Sequence, residues 1–242
     1  MPHFFTENRI EIGVPFLLGG EDAHHISRSL RMRAGERLVV CSGGKAYDCV
    51  IRGFSANSVT LFPEAMRMTT EPSVRVSMYI AVSKGDKLDF CIQKCVELGA
   101  FEIVPFRSEH CLPRGDNETR EERRRKIATE AAKQCGRASV PPVWPVLPFD
   151  EALQRGKEAE LCLFCSEKQE ATPLSSVLHN AGTQSVRSVS VFTGPEGGFS
   201  QKEFDKAVQI GYNMITLGRR ILRCETAPLC ALSALMFAFG EF

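Results

Sequence analysis

The order of apolar and polar positions divides the chain into two stretches of different rhythm. Up to residue 62, short apolar runs at 37–41, 47–54 and 58–62 alternate with turn clusters such as Ser42-Gly43-Gly44 and Ala56-Asn57. Runs of that length bounded by such residues read as consecutive strands, and their regular spacing predicts a small β-barrel. One amphipathic helix is predicted near 21–30. The polar, proline-bracketed stretch 63–72 then predicts a boundary between domains at 1–72 and 73–242. Beyond it strands are predicted at 74–82, 103–106, 160–165, 189–193 and 214–217, and helices at 87–98, 121–138, 174–180, 201–210 and 226–239. The helix at 87–98 has apolar residues at 88, 91, 92, 95 and 98 and a stop at Gly99. Alternating strand and helix predicts an α/β domain with a mostly parallel sheet.

Composition narrows the class without naming a function. The 242 residues hold 43% hydrophobic and 24% charged positions, which excludes collagen-like and low-complexity chains. Thirty Lys and Arg against 29 Asp and Glu leave a net charge of +1, so a globally basic nucleic-acid binder is excluded while a local basic patch is not. The start, MPHFFTENRIEIG, lacks the apolar core of a signal peptide. No apolar run reaches the roughly 18–20 residues of a membrane span, and 227–240 reads as a buried helix. Ten scattered cysteines in a chain of this size predict reduced thiols in the cytoplasm rather than a disulfide framework. Cys162 and Cys165 have CxxC spacing but no second pair, so they read as part of a buried strand, and no metal is expected. His24 and His25, about 100° apart on a helix, cannot readily serve one ion and read as packing.

Two turns carry chemistry. In 189–200, VSVFTGPEGGFS, a strand runs into a glycine turn, and Ser200 with Glu203 forms a capping box opening the next helix. Glycines at 194, 197 and 198 let a ligand approach the backbone. The turn is neither a dinucleotide fingerprint nor a P-loop, and Glu196 would repel a phosphate, so a neutral or cationic ligand fits better. In 217–227, LGRRILRCETA, three arginines lie within five residues ahead of a helix, where acidic side chains are preferred. Loops at the carboxyl ends of parallel strands are the usual binding place in open α/β sheets. On a helical wheel of 121–138, Ile127, Ala131, Cys135 and Ala138 form an apolar face beside a basic stripe of Arg123, Lys126, Lys133 and Arg137. Residues 107–137 hold nine Lys and Arg against six Asp and Glu.

GPEGGFS at 194–200 followed by LGRRILRCETA at 217–227 resembles the uridine-N3 methyltransferases of 16S ribosomal RNA, the RsmE family of the knotted SPOUT class. IQKCVELG at 92–99, Arg107-Ser108, EAAKQCGR at 130–137 leading to Val140-Pro141, and Arg9, His24-His25 and Leu30-Arg31 agree with it in order and spacing. The resemblance implies a PUA-like RNA-binding β-barrel, then a SPOUT domain ending in a trefoil knot. It implies S-adenosylmethionine as cofactor, a homodimer, and 16S rRNA of the small ribosomal subunit as substrate. It implies cofactor contacts from Phe164, Thr193, Gly194, Pro195, Glu196, Gly197, Leu217, Gly218, Ile221, Leu222, Arg223, Thr226 and Ala227. RNA contacts are expected from Arg9, Arg31, Arg107, Arg123, Lys126, Lys133 and Arg137, and catalytic roles from Arg220, Arg223 and Glu225. Glu225 is equally explained as a helix cap. A SPOUT enzyme with another RNA target and a non-catalytic RNA-binding module stand as alternatives.

Overall fold

Alternating inward-facing apolar side chains in the first 71 residues build a curled mixed sheet. The computed structural model describes residues 1–111, 118–167 and 171–242, and it divides into two units. The first comprises Met1–Glu71 and Ala132–Val140, and the second Pro72–Ala131 and Pro141–Phe242. The first unit contains β1 (His3–Phe5), β2 (Phe16–Gly19), α1 (Gly20–His24), a π-helical turn (His25–Ser29), β3 (Arg37–Ser42), β4 (Lys45–Phe54) and β5 (Ser58–Met66). Its strand order is β1-β3-β4-β5-β2, with β1 parallel to β3 and the other pairs antiparallel. Register shifts at Asp48/Cys49 and Ile51/Gly53 bend β4 against β5, as bulges do. Phe4, Ile26, Leu38, Val40, Ile51 and Leu61 fill its core.

The single helix expected at 21–30 is instead one α turn followed by a π turn. Ser27 Oγ donates to the Ala23 carbonyl at 2.8 Å, the side-chain competition that loosens a helical ladder. His24 and His25 are exposed, and the His25 ring meets Phe4 edge-on at 6.1 Å.

The piece 132–140 belongs with the first unit because of one carboxylate. Glu71 accepts from Arg137 Nε at 3.1 Å and from the backbone N–H groups of Ala138 at 2.9 Å and Ser139 at 3.2 Å. Burial opposes ionisation of Glu71, but the Arg137 guanidinium and the Ser139 contacts outweigh it and hold the carboxyl below its usual range. A depressed folded pKa stabilises the fold above the unfolded value near 4.3, and that stabilisation is lost as pH falls through the folded pKa. Glu71→Gln is expected to lower stability by about 2 kcal/mol at pH 7 and to flatten the acid limb of the melting temperature against pH. Calorimetric melts between pH 3 and 7 check both.

The second unit holds β6 (Arg75–Ala81), α2 (Lys87–Glu97), β7 (Glu102–Arg107), α3 (Glu118–Cys135, whose last residues from Ala132 count with the first unit) and β8 (Leu147–Pro148). Then come α4 (Phe149–Gly156), β9 (Leu161–Cys165), β10 (Thr172–Pro173), α5 (Leu174–Ala181), β11 (Ser188–Thr193), α6 (Gln201–Gln209), β12 (Asn213–Thr216) and α7 (Thr226–Ala238). Among the described residues the sheet order is β10-β12-β9-β11-β6-β7-β8, and every pair is parallel. β9, β11 and β6 are buried along most of their length because both faces are covered, including the polar Ser190 and Thr193 of β11. Tyr79 stacks on Phe192 at 4.3 Å, and Phe106 and Phe164 join that aromatic core. Trp144 anchors its proline-rich connection: its Nε1 donates to buried Glu102 at 2.6 Å, and Arg155 lies 3.8 Å over its ring. No helix among the described residues is long and apolar enough to cross a membrane.

The helix expected at 121–138 runs over Glu118–Cys135. Gly136, at φ +76°, turns the chain left-handed, and the Arg137 N–H returns to the Ala132 carbonyl, a glycine-terminated helix end. Ala138 therefore lies outside the helix, and its buried positions include Arg124, Ala128, Ala131 and Ala132.

Candidate functional site

The two turns singled out in the sequence follow β11 and β12 at the carboxyl edge of the parallel sheet. The first is shaped by a ring and a carboxylate. Phe199 folds back into the aromatic core, 4.1 Å from the Phe164 ring centre, and a Cβ on Gly194 would come within 3.1 Å of it. Glu203, 5% exposed, completes the predicted capping box, taking the Ser200 N–H at 2.9 Å while Ser200 Oγ takes the Glu203 N–H at 3.3 Å. It also accepts from Ser108 Oγ at 3.0 Å and from the Glu109 N–H at 2.9 Å, which pins the turn to the end of β7. His110 Nδ1 donates to the carbonyls of Gly197 and Gly198 at 3.1 Å each.

The second turn is held by its own backbone. Gly218 sits at φ +119°, and nothing lies within 4 Å of where a Cβ would stand. The Arg223 carbonyl accepts from the N–H groups of Thr226 and Ala227 at 2.9 Å, leading the chain into α7. Ile221 is 80% exposed.

Together the turns enclose a cavity of about 490 Å³. Of the expected site residues, Gly194, Pro195, Glu196, Leu217, Gly218, Arg220, Ile221, Leu222, Arg223, Glu225 and Ala227 line it. Phe164 and Thr193 are fully buried behind its wall, Thr193 Oγ1 donating to the Tyr79 carbonyl at 3.4 Å. Gly197 packs on His110, and Thr226 is exposed as the first residue of α7. Residues that sequence reasoning missed also line the cavity, among them Lys87, Cys165, Glu167 and Ile215.

Charge is distributed unevenly around it. Lys87 Nζ stands 3.0 Å from Glu196 Oε1 and 3.6 Å from Glu225 Oε2. Its hydrogen bond to Glu196 raises the lysine pKa. Burial opposes ionisation of Glu196, but its own backbone N–H, Lys87 and the Lys84 N–H together hold its carboxyl below the usual range. Glu225 is lowered by its own backbone N–H, by the Cys224 thiol and by Lys87 and Arg223. Burial and the bond to Glu225 push the Cys224 thiol up to about 11. Glu225 stands at the N-cap of α7 but makes no side-chain cap bond, so capping does not account for it. Among the described residues Arg219, Arg220 and Arg223 are exposed and form no hydrogen bond or ion pair through their side chains.

The expected RNA contacts are scattered in environment. Arg107 and Arg123 line a smaller cavity of about 180 Å³ with Arg120, Arg124, Asp86 and Asp89. Arg123 pairs there with Asp89 at 2.9 Å and Asp86 at 3.3 Å. Lys126 is exposed on α3. In the first unit Arg9 is exposed beside Glu11, and Arg31 is exposed at φ +52°. Lys133 pairs with Asp22 at 3.3 Å. Arg137 is a correction: it is 6% exposed and spent on Glu71, because Gly136 swings it off the helical stripe. Residues 112–117 of the basic segment lie outside the described residues. Cys162 Sγ donates to the Ala159 carbonyl at 3.3 Å, a buried structural thiol.

Comparison with known proteins agrees with this construction. Residues 69–236 match the family profile of an RNA methyltransferase domain, and residues 18–64 that of an RNA methyltransferase PUA domain. Fold, cavity and matched domains define the class, that of RNA methyltransferases carrying a PUA domain. A ribosomal RNA small subunit methyltransferase E of Bacillus subtilis (strain 168) is 34% identical over 241 residues, covering 96% of this chain and 93% of that protein. The crystal structure of the enzyme of that name from Neisseria gonorrhoeae, bound to S-adenosyl methionine, is 32% identical with a TM-score of 0.86, covering 98% of this chain and 97% of that one. A Legionella pneumophila methyltransferase in complex with the cofactor SAM is 26% identical with a TM-score of 0.84, covering 98% and 97%. The chain belongs to the ribosomal RNA small subunit methyltransferase E family.

Proposed function

We propose that the chain transfers a methyl group from S-adenosylmethionine to N3 of one uridine in 16S rRNA of the small ribosomal subunit. The observation that carries the reading is the convergence of both glycine turns on one cavity beside three exposed arginines. Its volume falls within the range usual for small-molecule sites. Phe199, Ile215, Leu217 and Leu222 give it apolar wall for an adenine, the open space at Gly218 admits close backbone approach, and the carboxylates of Glu196 and Glu225 suit a cation. When bound, the cofactor supplies a methyl group already activated on a sulfonium, so a metal is not needed.

The protein's part is then positioning and charge. N3 of uracil attacks only after losing its proton, and the charge spreads onto O2 and O4. Arg220 and Arg223 present planar guanidinium donor forks to that charge, by the logic of an oxyanion hole. The nearby arginine cavity around Arg107 and Arg123 suits the RNA backbone, as does Lys126. Homodimerisation belongs to the same reading. A groove of about 820 Å³ between α5 and α7, lined by Leu178, Leu217, Cys230 and Phe237, borders the second turn, and α7 carries no charged residue. A trefoil knot in the carboxyl-terminal third belongs to the same reading, and a ribosomal substrate goes with a cytoplasmic enzyme.

Small subunits from cells lacking the modification, incubated with methyl-labelled cofactor and digested to nucleosides, test the reading. Label in N3-methyluridine supports it. Label in another nucleoside moves the target, and no label despite cofactor binding overturns the activity.

A further inference from the structure

The lysine that joins the two turns was not legible from either of them. Lys87 is the first residue of α2, where the positive end of a helix disfavours a cation. Two carboxylates offset that placement, Glu196 from the first turn at 3.0 Å and Glu225 from the second at 3.6 Å. The backbone N–H of Lys84, three residues earlier, donates to the same Glu196 oxygen at 3.1 Å. One turn along α2, Cys91 Sγ donates to the Glu225 carbonyl at 3.8 Å. Thus α2 and the loop before it grip both turns at once, and the lysine side chain is only 35% exposed.

The geometry points to Lys87 as a positioning residue, whose ammonium clamps Glu196 and Glu225 into one ion cluster that fixes the spacing of the two walls of the cofactor cavity. The proposal rests on the reading of that cavity as the S-adenosylmethionine site. The cluster sets two carboxylates against one ammonium, and Arg219, Arg220 and Arg223 also line the cavity. Glu225, gripped by Lys87 and by the Cys224 thiol at 3.2 Å, serves as a fixed anion and not as the base for the uridine proton.

Binding of S-adenosylmethionine without RNA, followed by calorimetry, tests the clamp in Lys87→Met, Lys87→Arg, Glu196→Gln and the Met/Gln double variant. Each of Lys87→Met and Glu196→Gln is expected to weaken binding about tenfold, and the double variant also about tenfold, because partners in one cluster are not additive. Lys87→Arg should restore most of the affinity. The groups facing the lysine are Glu196, Glu225 and the thiols of Cys224 and Cys91, with Arg223 acting on Glu225. Removing the ammonium lets both carboxyls protonate more readily, so the acid limb of binding moves to higher pH in Lys87→Met and returns in Lys87→Arg. Losses that multiply to about a hundredfold, or a Lys87→Met protein that binds as the wild type does, overturn the clamp. If Lys87→Met does not fold, Glu196→Gln, Glu225→Gln and their double variant read the same coupling with the lysine in place. Wild-type protein that binds the cofactor yet methylates no RNA overturns the proposed function and leaves the clamp decided by the binding data.

Discussion

Arg220→Ala and Arg223→Ala are each expected to lower the turnover of methyl transfer by about 10²–10³-fold, the loss that follows removal of one preorganised donor to a developing anion. Cofactor affinity should hardly change. Both arginines stand on the second turn, exposed and without an ion-pair partner among the described residues, so neither is committed to holding the fold. Melting temperatures should therefore stay near the wild-type value. Single-turnover rates with saturating RNA separate the two arginines. One whose loss slows the chemical step meets the uracil anion. One whose loss weakens RNA binding and flattens its salt dependence by about one unit of slope holds a phosphate. Lysine at the first position should rescue poorly, since it keeps the charge but loses the planar fork. Normal turnover in both variants would place the charge stabilisation elsewhere in the site.

Glu203→Ala is expected to give the largest loss of stability, about 3 kcal/mol or more. It leaves the buried Ser200 N–H and Ser108 Oγ, and the part-buried Glu109 N–H, without their acceptor, and each orphaned buried donor costs about 1–3 kcal/mol. For a chain of this size that corresponds to a drop in melting temperature of roughly 10 °C. The same carboxylate pins the first turn to β7, so cofactor affinity should fall with stability even though Glu203 does not line the cavity. Glu203→Gln should keep part of both, because its amide oxygen still accepts while its NH₂ faces donors. A melt and a binding isotherm on the same preparation check the pair. A variant that loses stability but binds the cofactor normally would show that the turn keeps its shape without this anchor.

How much of this could be seen in the chain alone depended on the range of the interactions. α2 announced itself through apolar residues three and four apart, and the capping box through residues three apart, both local signals. The strand–helix alternation of the second unit was equally legible, as were the two turns, because glycine and arginine stand out against apolar flanks. The short strands β1, β2, β8 and β10 carry too few residues to show a period. α4 was missed because its eight residues hold only Phe149, Ala152, Leu153 and Gly156 as an inward face. The wheel over 121–138 misplaced Arg137 because it treated Gly136 as one more helical residue, whereas its left-handed backbone ends the helix and redirects everything after it. Lys87 was invisible for a different reason. Its partners lie 109 and 138 positions away, and no local pattern encodes a contact that the sheet topology alone creates.

That topology also sets an order of events on the ribosome. β6 lies between β7, which follows within about 20 residues, and β11, which begins at Ser188. At roughly 5–20 residues per second, one edge of β6 waits on the order of ten seconds for its partner while synthesis continues. The five strands and the core of the first unit lie within the first 66 residues, and the strip Ala132–Val140 joins that unit only later. Neither unit is complete when its first strands emerge, and the nascent chain carries an open strand edge for a little under half of its translation. Aggregation at birth, more than weakness of the finished fold, is the hazard this architecture must survive, and slow, non-local pairing of this kind is where a chaperone would act.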